Sequence, residues 1–223
     1  MRRRLFVLNL FYPALLAGVL LLVLLTRANV VLSPVENFSA TPAMTQFWML
    51  CGAVLLLPLG LGLTRDWTPR FSLSKEHRRE LLIVSLITLL AFALRVILLE
   101  DALHLFIHDE FWFTEGVNRF HRDPYTPLLP PFMDPTPYTG VFAMMQLLLV
   151  NTFGATLTAL RLPSVLFGTG TVLATYGLGR ALFSRRVALM AALLLAVFPP
   201  HIHISRLGIN NIADPFFGVL ALA

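Results

Sequence analysis

Residues 139–154 read TGVFAMMQLLLVNTFG, and their placement decides the side reached by every later segment. The run is apolar at Val141, Phe142, Met144 and Met145 and again from Leu147 to Val150, but Gln146 interrupts it and Gly154 closes it. As a helix it would be about 24 Å long, against a hydrocarbon layer of about 30 Å. If it crosses a bilayer, every later segment inverts, and the loop carrying Arg180, Arg185 and Arg186 falls outside. If it lies along the outer interface, residues 160–182 cross inward, those arginines stay in the cytoplasm and residues 187–199 cross outward. Basic residues in short loops resist translocation. Length and charge together favour the interfacial helix.

The composition places this run in a membrane chain. Hydrophobic residues make up 57% of the 223 residues and charged residues 13%, about half the share usual in globular proteins. The mean hydropathy is +0.76. A soluble fold of this size cannot hide so much apolar side chain, and a disordered chain needs the opposite bias. The net charge of +5 does not indicate nucleic acid, because the basic residues sit in short clusters between apolar runs. Cys51 is the single cysteine, which excludes an intrachain disulfide.

Working outward, residues 5–25 follow Arg2, Arg3 and Arg4 and have the length of a span. They are too long, and end too poorly for cleavage, to be a signal peptide. The N-terminus is therefore expected in the cytoplasm. Residues 44–63 return, with Pro58 as a tolerated kink. Arg65, Arg70, Lys75, Arg78 and Arg79 mark the next loop as cytoplasmic. Residues 81–99 cross outward, with Arg95 near enough to one end to snorkel. The domain expectation is an extra transmembrane hairpin over 1–66, a cytoplasmic loop over 67–80, and a main helical domain over 81–223 with an outer loop at 100–159. The apolar run from Phe216 to Ala223 reads as the start of a sixth span, cut short in this sequence.

The outer loop is rich in acids and prolines, and prolines such as Pro124, Pro127, Pro130 and Pro131 favour irregular chain. Phe113, Val117 and Phe120 recur at helical spacing, so a short amphipathic helix begins near Asp109. Asp109 and Glu110 suit its capping. They equally suit chemistry, with one carboxylate accepting a proton while the other holds a metal or orients a substrate. Two adjacent carboxylates would also repel each other. Asp214, Arg206 and Arg161 fall on the same face. Each has an ordinary use, as a helix cap or a headgroup contact. Together, arginines beside acids suit the handling of a phosphate. His104, His108, His121, His201 and His203 match no standard zinc spacing. Asn37-Phe38-Ser39 is a glycosylation triplet.

The order of features also carries a resemblance. A span is followed by His108-Asp109-Glu110, a proline-rich stretch ending Pro135-Thr136-Pro137-Tyr138, and a short apolar helix closing at Phe153-Gly154. Then come Leu160-Arg161-Leu162-Pro163-Ser164, a span, an arginine-rich turn, a span ending Pro199-Pro200, Ser205-Arg206 and Asp214-Pro215-Phe216. From about residue 81 onward this resembles the GT-C membrane glycosyltransferases of family 39, the protein O-mannosyltransferase and lipid A aminoarabinose transferase type. The resemblance implies an all-α polytopic bundle whose large first outer loop contains short juxtamembrane helices. It implies inverting transfer of a sugar from a polyprenyl-phosphate carrier to an acceptor hydroxyl outside the cytoplasm. The acceptor would be a glycan, lipid or protein, and a bacterial plasma membrane is the expected setting.

The resemblance maps Asp109 and Glu110 onto the catalytic acidic pair, Asp214 onto the second outer acid and Arg206 onto the arginine before it. Asp109 is expected as general base and Glu110 as orienter of the acceptor or of a divalent cation, the candidate cofactor. Arg206, with Arg161, is expected to neutralise the departing phosphate. Where such enzymes often carry Lys or His, this chain has Thr136, to which no role is given. The competing expectation is a non-catalytic membrane protein, a transporter or assembly scaffold, which predicts ionisable groups buried within the spans.

Overall fold

The computed structural model describes residues 2–28, 41–62, 74–100, 108–129 and 140–222. The triplet at Asn37, the loop arginines Arg65 and Arg70, His104 and the stretch around Thr136 lie outside the described residues. What is described is helical, with no strand. Among the described residues two helices are long and apolar enough to cross a membrane, or three if a bent pair counts as one span. The chain divides into two compact units, 1–71 with 116–144, and 72–115 with 145–223.

The first unit holds α1 (Arg2–Ala28) and α2 (Ala43–Gly62), which pack against each other. Small residues permit the approach: a Cβ added to Gly18 would sit 2.9 Å from Leu57 Cγ, and one on Gly60 3.0 Å from the Leu15 backbone nitrogen. Close approach of this kind substitutes for a hydrophobic driving force between helices in lipid. Gln46 is wholly buried and accepts from the Leu128 backbone N–H at 3.0 Å. The Ala43 N–H donates to the Pro124 carbonyl at 2.7 Å. These two bonds tie the start of α2 to the proline-rich chain of the same unit.

The second unit is built on α3 (Lys75–Val96), α6 (Leu157–Leu182) and α7 (Arg185–Ala196). Ile87 and Ala91 of α3, Val172 of α6, and Ala192 and Ala196 of α7 form a common core. Ser74, Thr156 and Ser184 cap the three helices through their side-chain oxygens, supplying the acceptors that first-turn amides lack. The helices alternate in direction. At one end Glu80 of α3 pairs with Arg180 at 2.9 Å and Arg185 at 3.6 Å. At the other end Arg161 of α6 donates to the Leu99 carbonyl at 2.9 Å. The Tyr176 hydroxyl donates to Glu80. That bond, assisted by Arg180 and Arg185 against the opposing effect of burial, holds the Glu80 carboxyl below the usual carboxylate range.

Three expectations need correction. The third apolar segment does not run helically to residue 99: α3 ends at Val96, Ile97 is extended and Leu98 takes a left-handed φ of 52°. Arg95 does not snorkel; it is 0% exposed and points into the unit. The segment 187–199 is not one straight span. It stops at Ala196, and α8 (Pro199–Ser205) follows at a 59° bend. Pro199 and Pro200 start α8 rather than ending its predecessor, since the fixed φ and missing N–H of proline suit a first turn.

Helix α5 (Gly140–Phe153) has 14 residues, about 21 Å and short of a bilayer core by itself. Gly154, at φ +89°, turns the chain toward α6. The amphipathic helix expected near Asp109 is α4 (His108–Arg122), and Phe113, Val117 and Phe120 are buried as its spacing required. A 3-10 turn, Asn210–Ile212, leads into α9 (Ala213–Leu222).

Candidate functional site

Successive residues of an α-helix point about 100° apart, so the two acids opening α4 have different surroundings. Asp109 is exposed and Glu110 is 3% exposed. Arg161, in the second turn of α6 and 0% exposed, meets Glu110 as a fork. Its Nε donates to Oε1 at 2.9 Å and its Nη2 to Oε2 at 3.0 Å. A third donor, the Gly208 backbone N–H, reaches Oε1 at 2.6 Å. Two ions removed from water are tolerated only with geometry of this quality and further hydrogen bonds on both partners.

The segment that supplies Gly208 is fixed from several sides. Gln146 of α5 is buried, and its Nε2 donates to the Leu160 carbonyl at 2.7 Å and the Gly208 carbonyl at 3.2 Å. Ser164 Oγ donates to the Ile209 carbonyl at 2.9 Å. A Cβ on Gly208 would sit 3.3 Å from Glu110 Oε1 and 3.4 Å from Gln146 Nε2. Glycine at this position lets the backbone donor approach the carboxylate.

Arg206 is half-buried. Its Nη2 donates to the carbonyls of Ile97 at 2.9 Å and Leu98 at 2.7 Å, while its Nε is buried with no hydrogen-bond partner among the described residues. Three successive carbonyls of the turn after α3, those of Ile97, Leu98 and Leu99, thus receive the guanidinium groups of Arg206 and Arg161. The left-handed Leu98 sits at the centre of this turn, and backbone outliers of that kind are retained where the surroundings over-determine them.

Residues 138–223 match the family model for dolichyl-phosphate-mannose-protein mannosyltransferase. That segment is similar to such mannosyltransferases. No curated protein and no solved structure matches the chain. The likeness, over less than half of the chain, is to a membrane glycosyltransferase family. Gln146, Arg161, Arg206, Gly208 and Asp214 lie inside the mannosyltransferase-like segment, whereas Asp109, Glu110 and Arg95 precede it.

Of the residues expected at the site, Glu110 and Arg161 are therefore in direct contact, and Arg206 is held on the same turn as Arg161. Both guanidinium groups donate to backbone carbonyls of that turn. Glu110 is paired with Arg161, while Asp109 is exposed. Both Glu110 oxygens are engaged by Arg161 and Gly208, an arrangement that suits positioning better than ligation of a cation. Among the described residues no three His, Cys, Asp or Glu side chains gather as a metal site. Asp214 is exposed in the first turn of α9, and no described contact ties it to Glu110, Arg161 or Arg206.

Sequence reasoning missed Gly208, gave Ser205 no role of its own, read Arg95 as able to snorkel, and treated Gln146 only as a break in an apolar run. A lone polar residue within such a run was itself a signal, since burial demands partners for it.

Proposed function

We propose that the chain carries the acidic-pair end of a membrane glycosyltransferase that moves a sugar from a polyprenyl-phosphate carrier to an acceptor hydroxyl on the non-cytoplasmic side. The observation that carries this reading is the contact of Glu110 with Arg161 and Gly208. It joins the acidic pair to the mannosyltransferase-like segment and leaves the neighbouring acid, Asp109, exposed.

Asp109 acts as general base. It takes the proton of the acceptor hydroxyl as that oxygen attacks the anomeric carbon from the face opposite the phosphate. The bond from the anomeric carbon to the phosphate oxygen breaks, its electron pair leaves on the polyprenyl phosphate, and configuration inverts. A phosphate leaves without protonation, so the second carboxylate of a glycosidase is not required. Arg206 meets the charge that develops on the leaving phosphate. Glu110 and Arg161 hold the start of α4, and with it Asp109, against the bundle. Asp214 is assigned to the donor side on the resemblance alone. The end bearing Glu80, Arg180 and Arg185 faces the cytoplasm, as does the N-terminus, in a bacterial plasma membrane.

A second reading, a transporter, is favoured by one observation: a buried arginine set against a helix broken between α7 and α8, the kind of element that lines transport sites. One experiment separates the two. The intact protein in proteoliposomes is given a polyprenyl-phosphate-linked sugar and a hydroxyl acceptor. Release of polyprenyl phosphate with formation of a glycoside supports the transferase. Movement of sugar across the bilayer without bond cleavage supports the transporter and overturns the transferase.

A further inference from the structure

Arg95 lies wholly buried in the second unit with no carboxylate partner among the described residues. Its five N–H groups meet five neutral acceptors. Nε donates to Ser205 Oγ at 3.2 Å. Nη1 donates to the carbonyls of Ala91 at 2.7 Å and Ala196 at 3.2 Å. Nη2 donates to the Leu195 carbonyl at 3.5 Å and to His201 Nδ1 at 2.8 Å. Arginine can only donate, so His201 accepts at Nδ1 and carries its proton on Nε2. An unpaired cation within a bundle is costly. Here the carbonyls ending α7 meet it, at the negative pole of that helix.

These contacts do more than satisfy the charge. They grip α7 at its last turn and α8 at both ends, through His201 and Ser205, so the bend between the two helices is pinned to α3. The residue after Ser205 is Arg206. The Arg206 side chain is held by the carbonyls of Ile97 and Leu98, two and three residues after Arg95 on the same strand of chain. Backbone and side chain of Arg206 are therefore both referenced to the end of α3. Gly168 makes room for the arrangement: a Cβ there would lie 2.1 Å from Ser205 Oγ and 3.2 Å from Arg95 Nε.

We propose that Arg95 is a positioning residue for Arg206, acting through Ser205 and α8, and so sets the affinity of the site for a lipid-linked phosphate. This rests on the assignment of Arg206 to the donor phosphate. The test measures binding of polyprenyl monophosphate to the intact protein in nanodiscs, alongside its unfolding temperature, for Arg95→Lys, Ser205→Ala, Arg206→Gln and the Arg95→Lys/Arg206→Gln double variant. Arg206→Gln and Arg95→Lys are each expected to weaken binding about tenfold, as displacement of a contact group does, and Ser205→Ala to weaken it less. Arg95→Lys is expected to add nothing once Arg206 is Gln, because a positioning residue has nothing left to position. Wild-type binding by Arg95→Lys with loss in Arg206→Gln overturns the positioning role and leaves the phosphate reading standing. Additive losses in the double variant overturn the positioning role equally. Wild-type binding by Arg206→Gln overturns both. Should Arg95→Lys fail to fold, Ser205→Ala decides, and wild-type binding by that variant overturns the proposal.

Discussion

Arg161 and Glu110, separated by 51 residues, meet as a two-pronged ion pair at 2.9 and 3.0 Å with both side chains buried. The pair fastens the start of α4 to the start of α6, and Gly208 adds a backbone donor to the same carboxylate. One acid of the Asp109-Glu110 pair is thereby fixed in structure, and the other is left exposed beside it.

Removing one partner strands the other as a buried charge. Arg161→Met is expected to destabilise the protein by about 3–5 kcal/mol, the cost usual for breaking a buried pair. Glu110→Gln combined with Arg161→Met is expected to cost less than the sum of the two single changes. Chemical unfolding in detergent of the singles and the double checks this; additive costs would mean that the two side chains do not depend on each other.

Gly168→Ala places a methyl group where Ser205 already sits, with 2.1 Å to its Oγ and 2.7 Å to its Cβ. The helices must shift, at a cost of about 1–3 kcal/mol for overpacking of this kind. Adding Ser205→Gly removes both clashing atoms and is expected to recover part of the loss in unfolding temperature, although it also withdraws one acceptor from Arg95.

Leu98 is exposed and holds a left-handed backbone, so its side chain contributes little burial and its conformation is strained. Leu98→Gly is expected to be neutral or to stabilise by up to about 1 kcal/mol, while Leu98→Val, β-branched, is expected to destabilise. Thermal unfolding of the two variants side by side shows whether the turn has the conformation described.

Glu80 gives a pH dependence of definite sign. Its carboxyl is held below the ordinary range, chiefly by the Tyr176 hydroxyl and then by Arg180 and Arg185. A depressed pKa adds stability that is complete above the unfolded value of about 4.3 and is lost as the pH falls through the folded value. Tyr176→Phe removes the first cause. Its unfolding temperature is expected to fall less than that of the wild type between pH 6 and pH 3, each measured in about 0.15 M salt. An unchanged slope would contradict the assignment.

Hydropathy and spacing located much of the fold. The stripe Phe113, Val117 and Phe120 gave α4, and the apolar run in residues 139–154 gave the 14-residue α5. The long helix expected over 160–182 begins a turn earlier because Thr156 caps it. What escaped was contact between distant segments. Arg95 looked like a cation able to reach a headgroup, but four of its five acceptors lie about one hundred positions away, and two of those are backbone carbonyls, which leave no mark in side-chain pattern. Pro199-Pro200 looked like the close of a span, yet proline is as suited to begin a helix. For the site, the sequence singled out Glu110 and Arg161, but which acid would be paired and which left exposed depends on the rotation of α4.

The most direct test of the account replaces Asp109 with Asn in the intact protein and measures, on one preparation, both glycoside formation and binding of the polyprenyl-phosphate-linked donor. Loss of at least about a hundredfold in transfer, the scale of an absent general base, with donor binding unchanged, is the predicted result. Transfer at the wild-type rate by Asp109→Asn would contradict it.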